Sequence, residues 1–138
     1  MRAGRHRARG TSEAAEDLAA GVVLLPTDDL DVLLDEARTE EESLGYAEEL
    51  FSGRLDLALA EADRRGMDVP REPDGAGFDT EVVALVQQGL PGLAERSDAE
   101  IRAAVGVLQG HLDTLRSDLE RVRGLVRVAG DERARRHG

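Results

Sequence analysis

The chain has 138 residues, with 29 acidic against 18 basic side chains and a formal net charge of −11. That length supports one modest core, and with 2% aromatic residues (Tyr46, Phe51 and Phe78) the core has to come from Leu, Val, Ile and Ala, which favours a helical bundle over a sheet sandwich. The absence of Cys excludes a disulfide frame and a thiolate metal site and points to a reducing, cytoplasmic setting, while an acidic body repels phosphate backbones and excludes direct nucleic-acid binding as the main role.

In chain order, residues 1–11 open with MRAGRHRARG, which holds four Arg and no apolar periodicity, and a disordered basic tail is expected there. Polar TSEAAED follows in place of an apolar h-region, so the opening does not read as a secretory signal. TSEAAEDLAAG suggests a short helix capped by Thr11 or Ser12, and the apolar run GVVLLP is too short to span a bilayer, so no membrane contact is expected. A long helix is expected over about residues 28–65, capped by Thr27 or Asp28 and closed by Gly66 at the position that follows a helix C-terminus. Along it Leu30, Ala37, Leu44, Phe51 and Ala58 recur every seven residues, with Leu34, Leu55 and Ala62 offset by four.

GMDVPREPDGAGFD then reads as loop, and DTEVVALVQQGL as a short helix over about 80–88 with Asp79 or Thr80 as cap and Gly89 and Pro91 as terminators. In SDAE, Ser97 and Glu100 have capping-box spacing and open a second long helix over about 98–127. Ile101, Val105, Leu108, Leu112, Leu115, Leu119, Val122 and Val126 continue it in unbroken 4,3 alternation. Residues 129–138 lack that pattern and are expected to form a second disordered basic tail. The expected fold is all-α: a single helical domain over 12–128, its two long helices forming an antiparallel coiled-coil-like hairpin with one or two short accessory helices.

The two long helices share a phrase. FSGRLDLALAEADRR, from Phe51, overlays LQGHLDTLRSDLERV, from Leu108, placing Gly53 on Gly110, Leu55 on Leu112, Asp56 on Asp113 and Arg64 on Arg121. Extended upstream, the overlay yields two polar series: Glu41, Gly45, Glu48, Ser52 and Asp56, and Asp98, Arg102, Val105, Gln109 and Asp113. Their offsets confine each series to an arc of roughly 80° over about 22 Å of helix. Burying unpaired carboxylates costs several kcal/mol, so these acids must meet water, cations or a ligand. A glycine inside a helix costs roughly 1 kcal/mol against alanine, so Gly53 and Gly110 at equivalent positions imply close approach of a backbone or a flat ligand.

EESLGYAEELFSGRLDLALAEADRR resembles the signature helix of the RsiG-type anti-sigma factors of actinobacteria, and the duplication on a second helix is similar too, over about residues 27–125. The resemblance implies an antiparallel hairpin that sequesters a sporulation- or motility-type sigma factor when loaded with cyclic di-GMP. It also implies that Glu, Ser, Arg, Gln and Asp on each helix clasp an intercalated ligand dimer. Here Glu41 and Asp56 keep the end positions of the first copy, whereas Gly45 stands for Ser, Glu48 for Arg and Ser52 for Gln. In the second copy Gln109 and Asp113 are kept and Asp98 is conservative, but Arg102 stands for Ser and Val105 for Arg. Both motif arginines are therefore missing, and guanidinium groups are what pair with phosphates and stack on guanine. Glu48 in such a place is repulsive by about 1 kcal/mol or more at close range. Asp56 and Asp113 remain suited to accept from guanine N1 and N2, with Arg54, Arg102, His111 and Arg116 as neighbouring sources of positive charge.

No catalytic constellation stands out, and the three His are scattered, two of them in the tails, so neither an enzyme nor a metal centre is expected and no cofactor is required. Two readings stand: an anti-sigma-type regulator whose acidic hairpin occludes basic sigma-factor surfaces, with cyclic di-GMP as regulatory ligand, and a helical adaptor that has lost ligand binding.

Overall fold

The computed structural model describes residues 16–69 and 80–137. It is all-helical over those residues: α1 covers residues 16–23, α2 spans Thr27–Arg64, α3 Thr80–Gln87 and α4 Asp98–His137, with a 3-10 turn at Leu93–Glu95. The loop expected between α2 and α3 falls partly, and Asp79, Thr11, Ser12 and the basic opening fall wholly, outside the described residues.

The helix ends follow from local chemistry. The Pro26 carbonyl accepts the first α2 bond, from the Leu30 N–H at 2.9 Å. Pro26 thereby holds the cap position in place of Thr27 or Asp28, and Thr27 Oγ1 accepts from Arg136 at 3.3 Å. At the far end Gly66 adopts φ 68°, and the bonds Gly66 N–H to Asp63 O and Met67 N–H to Ala62 O form a Schellman closure. The same pair of bonds closes α3 at Gly89 (φ 87°). The capping box forms as spaced: Glu100 N–H donates to Ser97 Oγ at 3.1 Å, and Ser97 N–H donates back to Glu100 at 3.2 Å. Those donors hold the Glu100 carboxyl below its ordinary range, the Ser97 backbone N–H first and its hydroxyl second.

The chain divides into two compact units, one of Met1–Ser43 with Asp118–Gly138 and one of Leu44–Ser117. In the second unit Ala58 of α2, Val82, Leu85 and Val86 of α3, Leu90, and Ala104, Val105 and Leu108 of α4 form the core, with Phe51 and Leu55 packed at its edge. Leu108 is fully buried, a placement worth about 1.5–3 kcal/mol over exposure. In the first unit Val22, Leu30, Leu34 and Ala129 form the core, flanked by Leu18, Leu33, Leu125 and Val126.

Within each unit the two long helices run antiparallel. In the first, Asp31 pairs with Arg133 (2.9 Å) and Glu41 with Arg123 (3.5 Å). In the second, Glu48 pairs with Arg116 (3.2 Å) and Arg65 with Asp98 (2.9 Å).

The expected tail at 129–138 is corrected: α4 continues to His137. Ala129 and Glu132 are buried there, and Arg136 reaches Glu132 (2.7 Å), Thr27 and the Val23 carbonyl (3.1 Å). The end of α4 is thus held by tertiary partners that no local periodicity announces. Neighbours one turn along α4 pull the Glu132 carboxyl below its usual value, Arg136 first and Arg135 second. Removing residues 129–138 is accordingly expected to lower the thermal midpoint by about 4 °C or more, a shift on the order of what 1 kcal/mol produces in a chain of this size. An unchanged midpoint by circular dichroism would mean that the segment behaves as a tail.

Candidate functional site

The two polar series are placed unequally. In the first unit Glu41 is half-buried and bound to Arg123. In the second unit Gly45, Glu48 and Ser52 are half-buried and Asp56 is exposed. On α4, Asp98, Arg102 and Asp113 are exposed, Gln109 is half-buried and Val105 lies in the core. Val105 is itself a seam residue, so the α4 arc runs from the core out into solvent. The antiparallel pairing sets Asp98 level with Arg65, nine residues past Asp56, or about 13 Å along the axis. Only the ends of the copies, Ser52 and Asp56 with Gln109 and Asp113, come to a common level, and matched inward-facing bands do not form in this unit.

Of the charges expected to serve a ligand, Arg102 stands exposed, whereas Arg54, His111 and Arg116 have other partners. Arg116 donates to Glu48. Arg54 donates to the Val86 and Gln87 carbonyls at 3.0 and 3.2 Å, at the C-terminus of α3, and its guanidinium lies 5.0 Å from the Phe51 ring centre. His111 meets the same ring edge-on at 4.5 Å. Arg65 spans Glu61 (2.6 Å), Asp98 and the carbonyls of Leu93 (3.3 Å) and Ala94 (3.1 Å). It thereby ties α2 to the 3-10 turn and to the start of α4.

The glycines also differ from expectation. A Cβ added at Gly45, Gly53 or Gly110 would meet no atom within 4 Å. Close packing within the chain therefore does not require them, which removes the helix-approach reason for Gly53 and Gly110.

Two of the open clefts are lined by described residues. One, of about 430 Å³, is lined by Asp35, Glu36, Thr39, Glu40 and Ser43 in the first unit. The other, of about 490 Å³, is lined by residues including Ala60, Asp63, Met67, Asp68 and Gln109 in the second. No cationic side chain lines either, so neither offers the guanidinium contacts a phosphodiester calls for. Among the described residues no group of three or more His, Cys, Asp or Glu is placed to hold a metal ion, and no helix is long and apolar enough to cross a membrane.

One feature of α2 escaped the sequence reading. Tyr46, Leu50 and Leu57 are exposed at 70%, 38% and 56%, on the side of the helix away from Phe51, Leu55 and Ala58. Their spacings of four and seven carried the signal, a second apolar stripe offset from the buried one.

No family model, no curated protein and no solved structure matches the chain.

Gly110→Ala is expected to stabilise the fold by up to about 1 kcal/mol in urea unfolding, because the space is open and alanine is the better helix former. A loss of stability would show that something does approach this backbone. A second expectation concerns pH. Hydrogen bonds from Arg64 and then Arg65 pull Glu61 from the ordinary 4.5 down to about 2. A carboxyl depressed on folding contributes stability above its unfolded pKa and loses it as pH falls through the folded value. The midpoint of the wild type should thus fall more steeply than that of Glu61→Gln between about pH 4.5 and 2, and parallel curves would refute a folded role for this pair.

Proposed function

We propose that the chain is a helical interaction protein of the anti-sigma type that binds its protein partner without a nucleotide ligand. The observation carrying this reading is the outer face of α2, where Tyr46, Leu50 and Leu57 stand in solvent. Monomeric soluble proteins keep contiguous apolar surface small, and a row of large side chains on one helix face is typical of a docking surface. The net charge of −11 directs such a surface towards basic partners. Sigma factors, whose DNA-binding surfaces are basic, are the partner class implied by the resemblance to RsiG-type proteins, and an acidic hairpin laid over those surfaces would block promoter contact.

Independence from cyclic di-GMP is supported by the partners of the ligand positions. Glu41 and Glu48 are already bound by Arg123 and Arg116, Val105 is in the core, and the family's motif arginines are missing. A dimer of the nucleotide brings four phosphate charges to a surface where Arg54 and Arg116 are engaged and Arg102 is the exposed guanidinium.

The decisive measurement is titration of the purified chain with a purified sporulation- or motility-type sigma factor, and separately with cyclic di-GMP. The sigma factor is expected to bind in a complex that weakens with salt, and cyclic di-GMP to give no heat up to high micromolar concentration. Absence of a sigma complex at any ionic strength removes the anti-sigma assignment. Cyclic di-GMP binding that is lost in Asp56→Ala or Asp113→Ala restores the ligand-sensing alternative.

A further inference from the structure

We infer that the outward face of α2 in the second unit, from Tyr46 to Ala60, is the seat for a basic amphipathic helix of a partner protein. The inference deepens the reading of the chain as a protein-binding module and rests on it. Tyr46, Leu50, Gly53, Leu57 and Ala60 follow one another at spacings of four, three, four and three. At about 100° per residue they share an arc of roughly 80° and run for about 21 Å. This is a complete heptad seam, opposite the one that packs on α4. Its positions run large, large, small, large, small, and Gly53 leaves open space above its backbone, as a surface does that accepts the knobs of another helix.

The charges along its two borders say what kind of helix fits. Glu49, Asp56 and Asp63 recur every seventh residue along one border, and all three are exposed. Unlike Glu48 and Glu61, which are bound by Arg116 and by Arg64 and Arg65, their carboxylates make no ion pair among the described residues. The opposite border carries Ala47, Arg54 and Glu61. Its one cation is spent on the carbonyls at the end of α3.

A second copy of this face is therefore a poor occupant. Antiparallel pairing sets the acidic row against itself, and parallel pairing sets it against Ala47, an engaged Arg54 and Glu61. Like charges across a helix pair select against self-association. The complementary occupant has apolar residues at alternating spacings of three and four and Arg or Lys every seventh residue beside them, the helix-in-groove mode with an electrostatic selector.

The test uses the full chain and three labelled helical peptides of about 18 residues, sized to the face by the 1.5 Å rise per residue. The first has Leu at the apolar positions and Arg every seventh residue, the second replaces Arg by Glu, and the third scrambles the first. Fluorescence anisotropy should show the basic peptide binding about tenfold or more tighter than the other two, and Leu57→Lys, with unchanged circular dichroism, should lose about tenfold or more. The charge-reversed triple Glu49→Lys/Asp56→Lys/Asp63→Lys should prefer the acidic peptide. Equal binding of the basic and scrambled peptides, or indifference to Leu57→Lys, overturns the inference. So does a dimer in sedimentation that Leu57→Lys dissolves, since the occupant is then a second copy. A sigma-factor complex that survives Leu57→Lys removes this face and leaves the proposed function standing. Specific capture of the basic peptide without any sigma-factor complex keeps the face and removes the anti-sigma assignment.

Discussion

The structure depends on burial of the unbroken apolar seam of α4. Ile101, Val105, Leu108, Leu112 and Val122 are almost entirely out of water, and in a chain with 2% aromatic residues aromatic packing adds little beyond Phe51 at the core edge. Each such side chain contributes on the order of 1.5–3 kcal/mol, and the seam confines α4 to one rotation about its axis. With that rotation set, the ion pairs mark an antiparallel register in each unit. Partner numbers fall along α4 from Arg133 to Arg123 as they rise along α2 from Asp31 to Glu41, and from Arg116 to Asp98 as they rise from Glu48 to Arg65.

Arginine turns this register into a complete structure. Every cationic side chain among the 18 is an arginine, since the sequence has no lysine. Three of them close the C-terminal ends of short segments. Arg136 serves the carbonyl of Val23 at the end of α1, Arg54 those of Val86 and Gln87 at the end of α3, and Arg65 those of Leu93 and Ala94 at the 3-10 turn. The last carbonyls of any helix lack intrahelical donors, and the dipole makes that end attractive to a cation. A forked guanidinium can satisfy two carbonyls together, or a carbonyl and a carboxylate, where an ammonium offers only a point charge. The consequence for function is one of supply: with these cations committed inside the fold, the acids on the outer face of α2 stay uncompensated and select a basic partner.

Much of this organisation is legible in the sequence because helical periodicity and capping are local. The bounds of α2, the start of α4 with its Ser97–Glu100 box, and the stops at Gly66 and Gly89 all follow from residues within a turn or two of each other. Contacts across long separations are not legible. Arg136 and Val23 are 113 residues apart, and without that contact the end of α4 reads as a charged tail. The polar series failed for a related reason. Spacing places Asp98, Val105 and Asp113 on a common arc, yet that arc is wide enough to hold a core residue and two solvated carboxylates.

The amino-acid order by itself determined an all-helical chain, the extent of α2, the start of α4 and which residues share a face, because 3.6-residue periodicity is a property of the segment alone. It also named the inward face of α2, the seam from Leu30 to Ala62, but not the second apolar stripe that stays in water. Between Leu44 and Ala62, α2 carries two apolar stripes, and packing against α3 and α4 in the second unit buries one, through Ala58, Leu55 and Phe51, and leaves Tyr46, Leu50 and Leu57 in water. Periodicity records that side chains point the same way, whereas only the tertiary structure decides what they point at.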